Sequence, residues 1–79
     1  MIQRLTLYTR RECGLCRKMK EVIGEVAREI PLELEEIDVD RSAELAAAYG
    51  EQVPVLFIGG RKAFKYRVSA GELKNRLER

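Results

Sequence analysis

The first half of the chain alternates between two hydrophobic periods. Residues 5–8 alternate apolar and polar side chains, which is typical of a strand with one buried face. Over residues 15–30, apolar side chains recur every three or four positions, as they do along one face of an amphipathic helix. Pro31 ends this predicted helix, and alternation returns over residues 32–39. The pattern predicts a strand, a long helix and a second strand with one exposed face.

Shorter segments follow in the second half. Asp40 or Ser42 can cap a short helix that Gly50 ends. The apolar run at residues 53–58 predicts a buried strand, and Gly59-Gly60 is a two-residue hairpin signal before another strand at residues 61–68. After it, Ser69-Ala70-Gly71-Glu72 has the spacing of a capping box, which opens a last helix.

The order of these elements, βαβαββα, indicates the fold class. A strand, helix and strand in succession favour a parallel pair, and the later hairpin adds an antiparallel pair. We therefore expect an α/β fold with a four-stranded mixed sheet and helices on both faces. At 79 residues, the chain is long enough for one modest core, so residues 1–79 are expected to form a single domain.

Composition narrows the possible partners. Fifteen basic and thirteen acidic side chains give a net charge of +2, and no basic block indicates a nucleic-acid or membrane partner. Neither a signal peptide nor a run of 18 apolar residues is evident, so the sequence predicts a soluble cytoplasmic protein. The cations around Phe64 and Tyr66 are typical of a single-stranded nucleic-acid platform or of an edge strand defended by charge. We favour the edge strand, with both aromatic side chains turned into the core.

Cys13 and Cys16 are the only cysteines, and their spacing fits three roles. A permanent disulfide is disfavoured in a reducing compartment, and so short a loop gives at most about 2 kcal/mol of stabilisation. A closed zinc site needs four ligands, whereas this chain has no third cysteine and no histidine, so we expect no metal site within one chain. A metal or iron-sulfur cluster held by the cysteine pairs of two chains remains an alternative, in a non-enzymatic carrier.

The position of the pair favours the third role, a redox couple. Both cysteines lie where the long helix begins, and free N–H groups and the helix dipole there stabilise a thiolate. Arg10 and Arg11 before the pair, with Arg17 and Lys18 after it, add positive potential, whereas Glu12 opposes it. The alternative is that these are solvated surface charges near a helix start. With no histidine to act as a general base, activation depends on this stabilisation. We expect Cys13 to attack a substrate disulfide and Cys16 to resolve the mixed disulfide.

Pro54 stands at the head of a predicted interior strand, where proline is unusual. A cis Val53-Pro54 bond would account for it and would leave the Val53 backbone free to pair with an extended substrate. The alternative is an ordinary trans proline at a strand start.

Residues 5–79 resemble the glutaredoxin-like branch of the thioredoxin superfamily, and most closely its small bacterial glutaredoxin-like proteins. The resemblance is carried by "LTLYTRRECGLC", "EEIDVD" and "VPVLFIGG". It implies a thioredoxin fold and a dithiol-disulfide oxidoreductase in which Cys13 attacks, Cys16 resolves and Pro54 is cis. We expect Arg11, Val53 and Pro54 to contact the substrate, which is a disulfide-bearing protein or a small thiol compound.

The chain departs from glutaredoxins at the segments that hold glutathione. Gln52-Val53-Pro54 replaces Thr-Val-Pro, and residues 65–69 (KYRVS) replace a Gly-Gly-x-Ser-Asp segment. No acidic side chain is left there for the amino group of glutathione. We therefore expect no resident cofactor, and we expect a thioredoxin-reductase-type reductant to serve better than glutathione. The protein is expected to act as a monomer.

Overall fold

The computed structural model describes residues 2–78. The elements follow the predicted order βαβαββα, with one turn of 3-10 helix (Val39–Arg41) between the second strand and the second helix. They are β1 (Gln3–Thr9), α1 (Gly14–Ala27), β2 (Leu32–Asp38), α2 (Ala43–Tyr49), β3 (Val55–Ile58), β4 (Arg61–Lys65) and α3 (Ala70–Leu77).

The four strands form one mixed sheet in the order β2-β1-β3-β4. β1 runs parallel to β2 and antiparallel to β3, and β3 pairs with β4 as a hairpin. Gly59 and Gly60 make the hairpin turn with φ of 58° and 84°, a conformation that glycine adopts without the cost of a Cβ. The predicted mixed sheet is confirmed.

Helices cover both faces of the sheet, as predicted. α1 and α3 pack on the face that carries Leu5, Leu7 and Leu56, and together they form the main core. α2 covers the opposite face, where Tyr49 stacks on Tyr8 with ring centroids 4.6 Å apart. Phe57 completes this second cluster through edge contacts with both rings.

Several predicted boundaries are wrong by two or three residues. α1 ends at Ala27 rather than at residue 30, because the N–H groups of Arg28 and Glu29 bond to carbonyls three residues back, those of Glu25 and Val26, in a tightened terminal turn. A proline disfavours helical geometry at the residue before it, so the chain leaves the helix before it reaches Pro31. β3 begins at Val55, two residues later than predicted.

The prediction that Tyr66 turns into the core is wrong. β4 ends at Lys65, and Tyr66 adopts a left-handed backbone with φ of 68°, which breaks the alternation of the strand. Tyr66 is 41% exposed, and Val68 enters the core instead. Phe64, still within β4, packs against the core as expected.

None of the helices within residues 2–78 is long and apolar enough to cross a membrane.

Candidate active site

The two cysteines lie at the start of α1, in different surroundings. Cys16 is the first member of the buried stripe that continues through Met19, Ile23 and Val26, and it is 3% exposed. Cys13 precedes the helix in an extended conformation and is only partly buried. The helical period thus buries one sulfur and leaves the other accessible at the surface.

Cys13 is also the N-cap of α1. Its Sγ accepts a hydrogen bond from the Cys16 backbone N–H at 3.1 Å, and its carbonyl accepts from the Arg17 N–H at 3.2 Å. The sulfur therefore satisfies one of the N–H groups that a helix start leaves unpaired. The two cysteines form a disulfide, with Cα atoms 5.2 Å apart.

The turn before Cys13 contains the charged residues Arg10, Arg11 and Glu12. Glu12 adopts a left-handed backbone with φ of 54°, which is uncommon for a residue with a side chain. Arg11 is 91% exposed, and its Nε lies 4.0 Å from an Asp38 carboxylate oxygen. Arg11 therefore points away from the core beside an acidic side chain, and its substrate-binding role stays a prediction.

Arg10 has a structural role that the sequence analysis missed. Its guanidinium donates to the Asp40 carboxylate through Nε at 3.1 Å and Nη2 at 3.0 Å, and to the Gly50 carbonyl through Nη1 at 2.9 Å. The hydrogen bond between them raises the pKa of Arg10 and lowers the pKa of Asp40. Arg10 thereby links the turn that leads to Cys13 with the end of α2. No local pattern could have revealed this contact, because its partners lie 30 and 40 residues away in the sequence.

Val53 and Pro54 lie at the same end of the sheet as the cysteine turn. Val55, the first residue of β3, pairs with Tyr8 near the end of β1. The Val53-Pro54 bond is cis, which confirms that expectation. Pro54 is buried and its carbonyl accepts from the Tyr66 N–H at 2.9 Å, whereas Val53 is partly exposed and precedes the strand ladder.

The start of α3 carries the predicted capping box. Ser69 Oγ accepts from the Glu72 N–H at 3.1 Å, and Glu72 Oε1 accepts from the Ser69 N–H at 3.0 Å. The carboxylate nearest this helix start is therefore engaged by its own backbone.

No cluster of three or more candidate metal ligands occurs among residues 2–78.

Comparison with known proteins identifies the family. The family described as "Glutaredoxin-like domain (DUF836)" matches residues 4–78. An uncharacterized protein of Mycobacterium tuberculosis is 30% identical in an alignment 78 positions long, and the match covers 92% of this chain and 80% of that protein. The X-ray structure of protein XcR50 from X. campestris is 35% identical with a TM-score of 0.77, and the match covers 94% of this chain and 95% of that one.

A mutant thioredoxin from Halobacterium salinarum shares the fold with a TM-score of 0.65 and 30% identity, over 96% of this chain and 72% of that one. The paired cysteines at the start of α1, on this fold, indicate a redox role. The chain belongs to the glutaredoxin-like family of the thioredoxin superfamily.

Proposed function

We propose that the protein is a dithiol-disulfide oxidoreductase in which Cys13 is the attacking sulfur and Cys16 the resolving one. The observation that carries the proposal is the asymmetry of the pair. Cys13 is partly exposed and accepts an N–H from the helix start, whereas Cys16 is 3% exposed. An incoming disulfide can reach the first sulfur, and the second remains beside it for an intramolecular step.

The proposed reaction transfers two electrons. The Cys13 thiolate attacks a substrate disulfide R–S–S–R′, forming a Cys13–S–S–R bond and releasing R′–S⁻, which takes a proton from water. Cys16 then loses its proton and attacks Cys13 Sγ, which forms the Cys13–Cys16 disulfide and releases R–S⁻. The protein is oxidised and the substrate is reduced. An external dithiol, or a reductase that carries one, returns the protein to its reduced form.

Thiolate stabilisation replaces a general base in this scheme, because the chain has no histidine. The hydrogen bond from the Cys16 N–H and the positive end of the α1 dipole both favour a negative Cys13 sulfur. Lowering the pKa of Cys13 by these contacts supplies the nucleophile near neutral pH.

The substrate segment is proposed to lie along residues 53–54. Val53 precedes the β3 ladder, so its backbone is outside the sheet pairing and is suited to an extended segment that carries the disulfide. Arg11, exposed in the turn before Cys13, is proposed to contact the same substrate. The proposal places a monomeric enzyme in the cytoplasm, where thiols are kept reduced.

Glutathione is proposed to be a poor reductant for this protein. Lys65 ends β4 and Arg67 lies in the loop before α3, and the carboxylate of Glu72 is used by the capping box. A cationic loop repels the ammonium group of glutathione rather than pairing with it. At equal thiol concentration, turnover with a thioredoxin-reductase-coupled dithiol should exceed turnover with glutathione. Equal or faster turnover with glutathione would refute this reductant preference.

Trapping with serine variants tests the division of roles. Cys16→Ser retains the attacking sulfur but not the resolving one, so it should accumulate a covalent adduct with a disulfide substrate, visible as a mass increase. Cys13→Ser should form no adduct while remaining folded, because serine is itself a preferred N-cap. An adduct on Cys13→Ser, or none on Cys16→Ser, contradicts the assignment.

The same preparations distinguish an enzyme from a carrier. A metal or cluster bridged between two chains would give a dimer with absorbance near 400 nm, roughly as iron-sulfur proteins show, or stoichiometric zinc. We expect a colourless monomer whose disulfide, once reduced, adds the mass of two hydrogen atoms to the protonated protein.

A further inference from the structure

An open cavity lies beside the cysteine motif, between α1 and the segment that connects β4 with α3. Its volume is about 190 Å³. The apolar side chains that line it are Leu15, Met19, Val22 and Val68, with the ring of Tyr66. Leu15 stands between the two cysteines in the sequence, so the cavity begins within the redox motif itself.

The cavity exists because the chain leaves the sheet at Tyr66. The left-handed backbone of Tyr66 ends β4, and Val68 then returns to the core at 8% exposure. Met19 is buried at 2% exposure, whereas Leu15 and Val22 remain partly exposed on α1. Apolar surface is therefore left uncovered next to the cysteines, where a second apolar group can bury it.

The size of the cavity limits what it can accept. An apolar cavity of about 150 Å³ holds a benzene molecule, whereas sites for drug-sized ligands begin near 300 Å³. At about 190 Å³, this cavity has room for one large apolar side chain. It is too small for a nucleotide, a flavin or a long acyl chain.

Two cations stand at the same cavity. Lys18 and Arg67 belong to its lining and are exposed, and no acidic residue lines it. Neither cation forms an ion pair with another residue of the part of the chain that the structure describes. The positive charge complements an acidic group carried next to the apolar one.

We propose that this cavity is a substrate-selecting pocket that binds a leucine- or phenylalanine-sized side chain of a disulfide-bearing polypeptide, with an acidic residue adjacent to it. The inference rests on the proposed oxidoreductase function and names its substrate class. An extended chain advances about 3.3 Å per residue, so a substrate side chain within three residues of the substrate cysteine lies up to about 10 Å from that cysteine.

Single-turnover kinetics with activated peptides tests the proposal. Each peptide carries its cysteine as a mixed disulfide with thionitrobenzoate, whose release by the reduced protein is followed by absorbance. Leucine is scanned over the three positions on each side of the cysteine, with aspartate beside it. At the best position, leucine should react about tenfold faster than alanine. Aspartate should exceed lysine by about threefold at low salt, and added salt should reduce that preference.

Matched variants assign the effect to the cavity. Val22→Phe fills it and should abolish the leucine advantage, whereas Ala27→Phe adds the same ring at an exposed position of α1 outside the lining. Lys18→Glu leaves one cation, Arg67, and one carboxylate at the cavity, so it should abolish the preference for aspartate. Arg61→Glu makes the same change of charge at the hairpin end of β4 and should leave the preference intact. If Val22→Phe does not fold, the comparison of leucine with alanine peptides and the Lys18→Glu variant still test the pocket.

The same kinetics distinguish a failure of the proposed oxidoreductase function from a failure of the proposed pocket. If Cys13 reacts with no peptide faster than free cysteine does, the oxidoreductase function itself fails. If the reaction is fast but leucine and alanine are equal at every position, only the pocket is refuted. Methyl NMR on the oxidised protein gives an independent readout, because a leucine peptide with serine for cysteine should shift Val22 and Val68. Shifts caused by hexanoate but not by the peptide would instead indicate a site for a small apolar anion and overturn the proposal.

Discussion

In the reduced protein, Cys13 should be alkylated at pH 6 faster than free cysteine, and Cys16 slower. The perturbation that isolates the cause is Cys16→Ser, which removes the second sulfur but keeps the backbone N–H that donates to Cys13 Sγ at 3.1 Å. Cys13 should therefore be equally reactive in the wild type and in this variant. Its reactivity should come from the helix start and not from its sulfur neighbour.

General energies for this kind of contact give the size of the effect, with the geometry of the contact taken from the disulfide form. A hydrogen bond to a charged acceptor contributes about 1.5–3 kcal/mol, and the helix dipole adds up to about 1 kcal/mol. Because Cys13 is partly exposed, solvent screens both, and the lower limit of about 1.5 kcal/mol is appropriate. That value corresponds to about a tenfold increase in thiolate fraction at pH 6. A stabilised thiolate is also a weaker nucleophile, with a Brønsted coefficient near 0.45, so the net rate gain is about threefold.

Timed labelling with iodoacetamide, read by peptide mass mapping, measures both rates against free cysteine. Cys16 should be labelled more slowly because the residue is buried, at 3% exposure. Cys13→Ser serves as the control, since it keeps α1 capped and should leave Cys16 slow. Preferential labelling of Cys16, or a Cys13 that reacts no faster than free cysteine in Cys16→Ser, would refute the reasoning.

Three further changes report on the scaffold. Ser69→Ala removes the capping box and should lower the free energy of unfolding in urea by about 1 kcal/mol, with Asn75→Ala as an exposed control on α3. Leu73→Ala creates a cavity at a fully buried position and should lower the free energy of unfolding by about 2–5 kcal/mol in the same assay. A decrease of less than about 1 kcal/mol would contradict close packing around Leu73. The pKa of Asp40 is lowered by the hydrogen bond from Arg10, so its contribution is present above its ordinary pKa and lost as pH falls below it. The Tm deficit of Asp40→Asn should therefore be present at pH 7 and shrink towards pH 3; a pH-independent deficit would exclude this ion pair as the cause.

Structural features that depend only on residues close together in the sequence could be predicted from the sequence. The period of the apolar residues identified α1, because one face of a helix must be buried wherever that helix packs. The Gly59-Gly60 turn and the capping box of α3 are likewise satisfied within a few residues. The same locality placed Cys13 and Cys16 at a helix start, which is the part of the candidate site that the sequence predicted correctly.

Element ends were less accessible to prediction. Periodicity suggested that β4 continues to residue 68, but Tyr66 takes a left-handed backbone whose N–H bonds to the Pro54 carbonyl on the other side of the hairpin. The Arg67 N–H bonds to the Lys65 carbonyl at 2.8 Å, so a tight turn centred on Tyr66 ends the strand at a place where the apolar pattern gives no sign of a turn. Whether Arg11 and Val53 meet a substrate stays a prediction, since neither the fold nor the family assigns them a ligand.

The sequence by itself determined the helical and strand periods, the turn chemistry and the presence of a dithiol pair at a helix start. Only the tertiary structure decided that Arg10 reaches Asp40 and Gly50, that Tyr8 stacks on Tyr49, and that a cavity opens beside Leu15. The physical reason is range. Backbone hydrogen bonds, caps and turns are satisfied among residues a few positions apart, whereas side-chain contacts and cavities depend on how separate elements pack in space.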